Sequence, residues 1–440
     1  MFFSTLFPLL LLGLGIYIGA KLRFFCFLHP LKCAKALFAK PKACGEKASY
    51  SPWKALTVAL AGTLGVGNIT GVAAAILLGG SGSLFWMWAS ALLTMLIKYA
   101  EVVLAVATRE KRSVNNKTEY HGGPARYLPL LAHGGSFLSA IFSILCIVAS
   151  FVQGNLIQTG AVAACMEDTF SLPILPVALS MTALSACLVL GGRSRIAAFT
   201  EKMIPLMTAL YLVMGLTVIV RNLDMLPSVF GDIFQNAFSF RAAGGGFAGS
   251  AMALAMRHGA AKGVFSHEAG CGTSPISHAG AETDSAHRQG LLGIAEVSID
   301  ALLLCTVTGL VLLLSGVGYH SSDQNYTTVV LDAFSVWFGE SAAVLLSVSI
   351  AFYAFATLIC WSFYGSECVH ALCKKERTAR HMQSLYLLAF CLCTCFGAFL
   401  DAAALWVWSD ILTISMTAIN TCAVACLLDT VIKETKKAIP

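Results

Sequence analysis

The chain has 440 residues, of which 57% are hydrophobic and only 12% are charged. A soluble globular domain carries about 25% charged residues, so a chain this apolar could not cover a water-facing surface with polar groups. The composition excludes a cytosolic enzyme, a disordered protein, a nucleic-acid-binding protein and a small secreted scaffold. It predicts an all-α protein that crosses the lipid bilayer many times.

Eleven apolar segments are long enough to cross about 30 Å of hydrocarbon as helices. The first is a leading helix, and the other ten follow in two sets of five. The predicted spans lie near residues 2–20, then 54–79, 83–108, 135–165, 173–191 and 203–220, and then 247–281, 289–316, 341–366, 383–400 and 404–429. We therefore divide the chain into an N-terminal helix with a basic segment (1–53), a ten-helix core (54–430) and a cytoplasmic tail (431–440).

Basic residues collect between alternate predicted spans, as lysine and arginine do on the cytoplasmic side of a membrane. The loop after the first helix carries a run of them from Lys21 to Lys54. Of the 29 lysines and arginines in the chain, the exceptions are Arg221 and Arg241 on the opposite side, and Lys98, Arg257 and Lys262 within spans. This asymmetry predicts an external N-terminus and a cytoplasmic C-terminus. Separately, we expect the membrane to be a bacterial inner membrane.

Two predicted spans are interrupted by glycine. The second span reads AGTLGVGNITGVAAAI from Ala61, and the seventh reads GAAKGVFSHEAGCGTSPISHAGA from Gly259. Glycine clusters weaken a helix, and in a bilayer the freed backbone groups must line a cavity or be buried in protein. We predict a break centred near Gly67 and another near Phe265 to Gly270. The second break could instead lie near Phe247, in GGGFAG, if that helix crosses at about 244–262.

Both predicted breaks fall in the first helix of a five-helix unit. The units would cover residues 54–221 and 244–430, and they would have opposite orientations because five is odd. An inverted five-plus-five repeat with two broken helices is the layout of many secondary transporters. The pattern therefore predicts a transporter core preceded by one extra helix, eleven spans in all, although the two halves share no visible sequence identity.

Broken helices offer N–H groups at one half and carbonyl oxygens at the other, which suit a carboxylate and a monovalent cation. A zwitterionic amino acid with Na⁺ fits both. Asn68 lies at the first break, where it could contact a ligand or act as a helix cap. Gln158 could face the cavity or bond to another helix. Thr357 and Trp361 share one helix face, where they could serve an ion and a pocket wall or could simply pack.

Charged residues within spans are costly and suggest function. Lys98 and Glu101 lie three residues apart, which favours a local pair reaching toward the cytoplasm. Asp300 is a further buried acid for which the sequence suggests no partner. The remaining charged residues near the second break could form an internal network or lie in the cytoplasm: Arg257, His258, Lys262 and Glu268.

Several blocks resemble the alanine or glycine:cation symporter family. They run in consistent order from about residue 50 to 430 and include GTLGVGNITGVAAAI, KYAEVVLAVATRE, GGPARYL, KGVFSHEAGCGTSP, QGLLGIAEVSIDALLLCTVTGLV and CWSFYGSEC. This family is similar in fold to the sodium-coupled neurotransmitter symporters. The resemblance implies Na⁺-driven uptake of alanine or glycine, possible activity on D-alanine, no organic cofactor, no enzymatic activity and a monomer in the lipid bilayer.

The resemblance also implies the residues of the site. In the wider fold, unwound first-helix amides hold the substrate carboxylate, and first-helix carbonyls with a hydroxyl of the eighth core helix hold sodium. Carried over by position, the Na⁺ ligands would be Ala61, Leu64, Ala354 and Thr357. The substrate-binding residues, with Gln158 and Trp361 from the argument above, would be Gly65, Val66, Gly67, Asn68, Gln158, Phe265, Ser266 and Trp361.

The sequence departs from the family pattern at His267, where asparagine is common, and also at Ala74, Gly160 and Ser81. A titratable His267 would permit a proton-coupled small amino-acid transporter, whereas a neutral His267 would only replace the hydrogen bonds of the asparagine. An intramembrane zinc enzyme would need H-E-x-x-H, but Cys271 stands four residues after His267.

Overall fold

The computed structural model describes residues 2–38, 51–114, 117–239, 251–317 and 326–438, and these residues are almost entirely helical. The principal elements are α1 (Phe2–Lys21), α2 (Pro52–Thr63), α3 (Gly67–Gly79), α4 (Ser83–Ala107), β1 (Glu110–Val114), β2 (Lys117–His121), α5 (Gly135–Phe170), α6 (Ile174–Val189), α7 (Arg193–Arg221), α8 (Leu226–Ala237), α9 (Ala251–His267), α10 (Ser274–Ala279), α11 (Ala286–Ser315), α12 (Tyr326–Phe338), α13 (Glu340–Leu372), α14 (Glu376–Gly397), α15 (Ala402–Cys426) and α16 (Leu428–Ala438). Short helices cover Phe25–Leu28, Pro30–Phe38, Pro124–Tyr127 and Leu128–Leu130.

Within the described ranges, six helices are both long and apolar enough to cross a membrane, and α2 with α3 forms a seventh, bent span. The six are α4, α5, α7, α11, α13 and α15. Shorter apolar helices lie at Phe7–Lys21, Ile174–Val189 and Tyr326–Phe338. The chain is thus a multi-pass membrane protein by length and composition, while the eleven-span count and the inverted repeat stay predictions.

The helix α12 was not predicted from the sequence. It has 13 residues, which is too short to cross about 30 Å of hydrocarbon. It packs against α11 and α13, and it buries Val330 and Phe334 completely. Its apolar face is therefore explained by packing on neighbouring helices.

The hairpin of β1 and β2 follows α4, and it too was missed because its residues are mostly polar. Its strands pair antiparallel with Glu110 opposite His121. Burial acts to raise the pKa of Glu110, but the hydrogen bond from Arg112 and the charge of Arg126 outweigh it and hold that pKa below its ordinary value. Next to the hairpin, Arg109 donates to the backbone oxygens of Ala279, at 3.0 Å, and Ala281, at 2.6 Å, and so ties the end of α4 to the end of α10.

The centre of the fold is α4, against which α9 and α11 pack. Small residues allow these helices to approach closely, as is usual inside membranes. A side chain at Gly259 of α9 would collide with the Ser83 carbonyl group of α4. On the other side of the core, α13 packs against α2 and α5. This arrangement places the two interrupted segments, α2–α3 and α9–α10, within reach of α4, α5 and α13.

Candidate functional site

The first helix break confirms the glycine-based prediction near Gly67. The axes of α2 and α3 differ by 57°. In a continuous helix the Gly65 N–H would bond to the Ala61 carbonyl, but here it bonds to the Thr63 oxygen at 2.8 Å. The freed Ala61 oxygen instead accepts the Thr357 hydroxyl of α13 at 2.9 Å. The break therefore exposes a backbone carbonyl to a hydroxyl on a different helix.

A side chain at Gly65 would crowd its neighbours. A Cβ atom there would stand 3.0 Å from Thr357 Oγ1 and 3.6 Å from Gln158 Oε1. The Gln158 side chain is 5% exposed, and its Oε1 has no hydrogen-bond partner among the described residues. The structure thus brings Ala61, Gly65, Gln158 and Thr357 together, as the sequence predicts.

The second break begins slightly later than predicted. The helix α9 continues through Phe265 and ends at His267, and α10 begins at Ser274. Gly270, with a φ of 87°, adopts a left-handed conformation that favours glycine. Its freed N–H bonds to Glu101 Oε1 at 3.3 Å, and its carbonyl accepts from Asn420 at 2.8 Å. Side chains thus replace the lost helical bonds at this break. The alternative break, in residues 244–249, lies outside the described residues.

A narrow cavity lies between the two breaks. Each break contributes residues to its wall, as do α5, α13 and α15. The lining residues are Gly62, Thr63, Gly65, Gly67, Gln153, Ile157, Gln158, Phe265, Ser266, Glu268, Thr357 and Trp406. Of the predicted substrate residues, Gly65, Gly67, Gln158, Phe265 and Ser266 line it.

Other predicted site residues lie beside this cavity rather than in its wall. Trp361 is fully buried, and its ring packs 5.7 Å from that of Tyr364. Leu64 and Asn68 line a smaller adjoining cavity. Val66, 3% exposed, and Ala354, fully buried, are core residues. Trp361 lines neither space.

Trp406 was missed by the sequence argument. Its ring lies 5.7 Å from that of Phe265, so the two close one side of the cavity together. A tryptophan in an apolar span is not distinguished from a packed or lipid-facing residue by its sequence context. Only the packing of α15 against the rest of the core reveals its place.

Asp300, which had no predicted partner, joins the two breaks. Asn68 Nδ2, at the start of α3, donates a hydrogen bond to Asp300 Oδ1. Ser266 Oγ, near the end of α9, donates to Asp300 Oδ2 at 3.1 Å. Asn68 Oδ1 is buried and has no partner among the described residues. The amide of Asn68, the hydroxyl of Ser266 and the carboxylate of Asp300 therefore meet beside the cavity.

Lys98 and Glu101 form the predicted local pair, but the prediction that this pair reaches toward the cytoplasm was wrong. Both side chains are fully buried. Lys98 Nζ lies 3.5 Å from Glu101 and 3.3 Å from Glu296, and it donates to Ser274 Oγ at 2.7 Å. It also donates to the backbone oxygen of Glu268 at 3.4 Å. The predicted reach toward water fails because α11 and the second break surround the ammonium group with better partners.

His267 makes the hydrogen bonds of a neutral side chain. Its Nδ1 accepts the Ala269 N–H at 3.1 Å, so this nitrogen carries no proton. Its Nε2 lies 3.2 Å from the Thr94 hydroxyl, which itself donates to Ser90 O. Nε2–H therefore donates to Thr94. In the part of the chain that the structure describes, no group of three or more His, Cys, Asp or Glu side chains could hold a metal ion.

The model of the sodium:alanine symporter family matches residues 1–438 of this chain. The chain belongs to the sodium:alanine symporter family. It is therefore a membrane transport protein of the symporter class, as the sequence resemblance predicted.

Relatives of this symporter-family chain support the assignment along its whole length. It is 36% identical over 433 residues to an uncharacterized transporter of Haemophilus influenzae, covering 98% of this chain and 92% of that protein. It is 35% identical over 432 residues to the sodium/alanine symporter AgcS of Methanococcus maripaludis, covering 97% and 92%.

Two solved structures share the fold of this family member at low sequence identity. One is MhsT in complex with L-phenylalanine, with a TM-score of 0.60, 12% identity, and coverage of 89% of this chain and 93% of that chain. The other is a Na⁺-coupled sialic acid symporter, with a TM-score of 0.61, 11% identity, and coverage of 95% and 85%. The relation to sodium-coupled symporters that the sequence predicted is thus confirmed at the level of fold.

Proposed function

We propose that this protein is a secondary active transporter that carries a small neutral amino acid, alanine or glycine, into the cell together with Na⁺. The observation that carries the proposal is that both helix breaks border one cavity. A site between two broken helices can offer N–H groups to a carboxylate and carbonyl oxygens to a cation at once. The relative named as a sodium/alanine symporter supports the same substrate and ion.

The coupling cation would bind at the first break. We assign it to the carbonyl oxygens of Ala61, Leu64 and Ala354 and the hydroxyl of Thr357. The contact of 2.9 Å between Thr357 Oγ1 and the Ala61 oxygen supports this assignment, because two neutral oxygens with lone pairs already face each other there. Neutral oxygen ligands suit a hard monovalent cation.

The substrate would bind across the cavity. Its carboxylate would meet the backbone N–H groups at the start of α3, in the run Gly65, Val66, Gly67 and Asn68, where the helix dipole favours negative charge. Gln158 Oε1, which has no hydrogen-bond partner among the described residues, is a further polar group in the wall. Phe265 and Ser266 would contact the substrate from α9, and Trp361 would support the wall from behind.

Transport would proceed by alternating access around the breaks. The protein would have eleven spans, one leading helix and an inverted five-plus-five core. It would lie in a bacterial inner membrane with its N-terminus outside the cell. The extra helix α1, followed by two units that each start with a broken helix, supports this arrangement. Na⁺ and substrate are coupled if both stabilise the same conformation of the protein. We propose that the working unit is a monomer.

Uptake into proteoliposomes tests the proposal. Labelled alanine should accumulate with an inward Na⁺ gradient, and it should not accumulate when K⁺ replaces Na⁺ or when a proton gradient is applied alone. Unlabelled glycine, D-alanine and glutamine would be compared as competitors. Accumulation driven by a proton gradient without Na⁺ would show that the coupling ion is H⁺ and would refute Na⁺ coupling. No accumulation under either gradient would refute alanine symport.

A further inference from the structure

Buried carboxylates outnumber buried cations in the described core. Lys98 faces the carboxylates of Glu101 and Glu296, and these three side chains are fully buried. The carboxylates of Glu268 and Asp300 have only neutral hydrogen-bond partners among the residues that the structure describes. A buried charge without a partner is costly, and neither carboxylate is directly paired with a cation among the described residues.

The hydrogen bonds of Glu268 fix one carboxylate oxygen as an acceptor. Gln153 Oε1 accepts the hydroxyls of Ser409, at 3.1 Å, and Thr413, at 2.9 Å, so the amide NH₂ of Gln153 must point the other way. It donates to Glu268 Oε1 at 3.0 Å. The Thr273 hydroxyl lies 2.6 Å from Glu268 Oε2. Glu268 is thus held in place by neutral groups and retains lone pairs for a further donor.

The backbone holds Glu268 at the cavity against its own preference. Its φ of 49° is in the left-handed region, which is unfavourable for a residue other than glycine. The Glu268 N–H bonds to the Val264 oxygen at 3.1 Å. Lys98 donates to the backbone carbonyl oxygen of Glu268 rather than to its carboxylate. Strain of this kind persists where surrounding contacts enforce it, commonly at functional sites.

Glu268 also stands where a ligand would pass. It lines the cavity between the breaks, and with Phe265 it also lines a neighbouring cavity under α1. The wall of that second cavity also carries Lys262 and Asp410. The first break, with its helix N-terminus, supplies the opposite polarity on the other side of the central cavity.

We propose that the carboxylate of Glu268 binds the ammonium group of the transported amino acid and thereby determines selectivity for an α-amino group. The inference rests on the proposed function. A zwitterion would then lie with its carboxylate toward the start of α3 and its ammonium toward the second break. The substrate would supply the positive charge that Glu268 lacks among its partners in the described residues.

The test compares alanine with lactate, which keeps the carboxylate and the methyl group but carries a hydroxyl in place of the ammonium. Displacement of labelled alanine from purified protein in Na⁺ would be measured for the wild type and for Glu268→Gln. Removing one partner of a buried charge pair costs enough to weaken binding by roughly thirty-fold or more. Glu268→Gln should lose about that factor for alanine and less than about three-fold for lactate, so that the preference for alanine collapses.

Two further variants keep the result interpretable. Glu268→Asp keeps the charge and should retain a clear preference for alanine over lactate, even if Glu268→Gln does not fold. Asp410→Asn removes a carboxylate that lines only the second cavity and should leave the preference unchanged.

Equal losses for both ligands in Glu268→Gln would indicate a structural role and overturn the proposal. Unchanged alanine affinity with a lost pH dependence would make Glu268 a proton carrier and overturn it as well. Absence of Na⁺-dependent alanine binding in the wild type would instead refute the proposed function.

Discussion

At the break between α2 and α3 a freed backbone oxygen meets a neutral hydroxyl, whereas at the break after α9 charged side chains bond to freed backbone groups. At the first, Gly65 lies against Thr357 and Gln158, and a freed carbonyl meets a hydroxyl. At the second, Glu101 bonds to the backbone of Gly270, and Lys98 bonds to the backbone of Glu268.

The two helix breaks can therefore have different roles in the same fold. Buried charges that bond to freed backbone groups are costly to disturb, so the second break is held in one conformation. Neutral oxygens give up their mutual hydrogen bond at a modest cost of about 1 kcal/mol, so the first break can exchange a hydroxyl for a cation. We therefore regard the second break as the fixed frame and the first as the ion-responsive element.

The largest loss of stability should come from removing the ammonium group of Lys98 beside the second break. Lys98→Met would leave Glu101 and Glu296 without their ammonium partner, which is expected to cost about 3–5 kcal/mol. Thermal unfolding in detergent should show a lower melting temperature and poor recovery of folded protein. Lys54→Met is the matched control, because its pair with Glu201 at 3.2 Å is partly exposed and worth about 1 kcal/mol or less. Equal stability of the two variants would contradict the fixed-frame account.

A methyl group at the first break should disturb ion binding without unfolding the protein. Gly65→Ala places its Cβ 3.0 Å from the Thr357 hydroxyl, and crowding of this kind costs about 1–3 kcal/mol. The half-saturating Na⁺ concentration for uptake should rise at least about ten-fold, which corresponds to about 1.4 kcal/mol. Gly71→Ala is the control, since a Cβ there meets nothing within 4 Å. Similar Na⁺ dependence in both variants would place the ion elsewhere.

Loss of the hydroxyl itself should have a somewhat smaller effect. Thr357→Ala removes one proposed ligand and should raise the half-saturating Na⁺ concentration about five- to ten-fold, in line with about 1 kcal/mol for a lost hydrogen-bonding group. Thr357→Ser should restore it. Cys360→Ala serves as the comparison, because Cys360 Sγ donates to the Val58 oxygen at 2.9 Å along the same pair of helices. If both alanine variants shift the Na⁺ dependence alike, the effect is one of helix packing.

The smallest effect is expected at His267. A neutral imidazole that accepts from Ala269 and donates to Thr94 does not change charge during transport. His267→Asn should therefore keep Na⁺-driven uptake within about two-fold, with the same pH profile between pH 5.5 and 8. Disappearance of a pH dependence that the wild type shows would assign His267 a role in proton coupling.

Much of the fold was predictable because apolar length and glycine placement have direct physical meaning. A span must be about 20 apolar residues long, so helices lie in each predicted range. Glycines at 62, 65, 67 and 71 located the first break. The hairpin β1–β2 and the helix α12 escaped prediction, because neither has the length or hydropathy of a span.

The site was only partly predictable, because its partners are distant in sequence. Thr357 and Ala61 were paired through the family resemblance, and their contact supports that pairing. Lys98 meets Glu296 across 198 residues, and Asn68 meets Asp300 across 232, and no local pattern encodes such contacts. The sequence around Trp406 does not distinguish it from other tryptophans of apolar spans, and only the fold shows that its ring lies beside that of Phe265.

The most direct test of the central claim is a reciprocal binding measurement on purified wild-type protein. Alanine affinity would be titrated at a series of Na⁺ concentrations, and Na⁺ affinity at a series of alanine concentrations. If the broken helices hold both ligands in one conformation, each ligand should tighten the other by the same factor, about 5–150-fold. Independent affinities, with neither ligand responding to the other, would contradict the account.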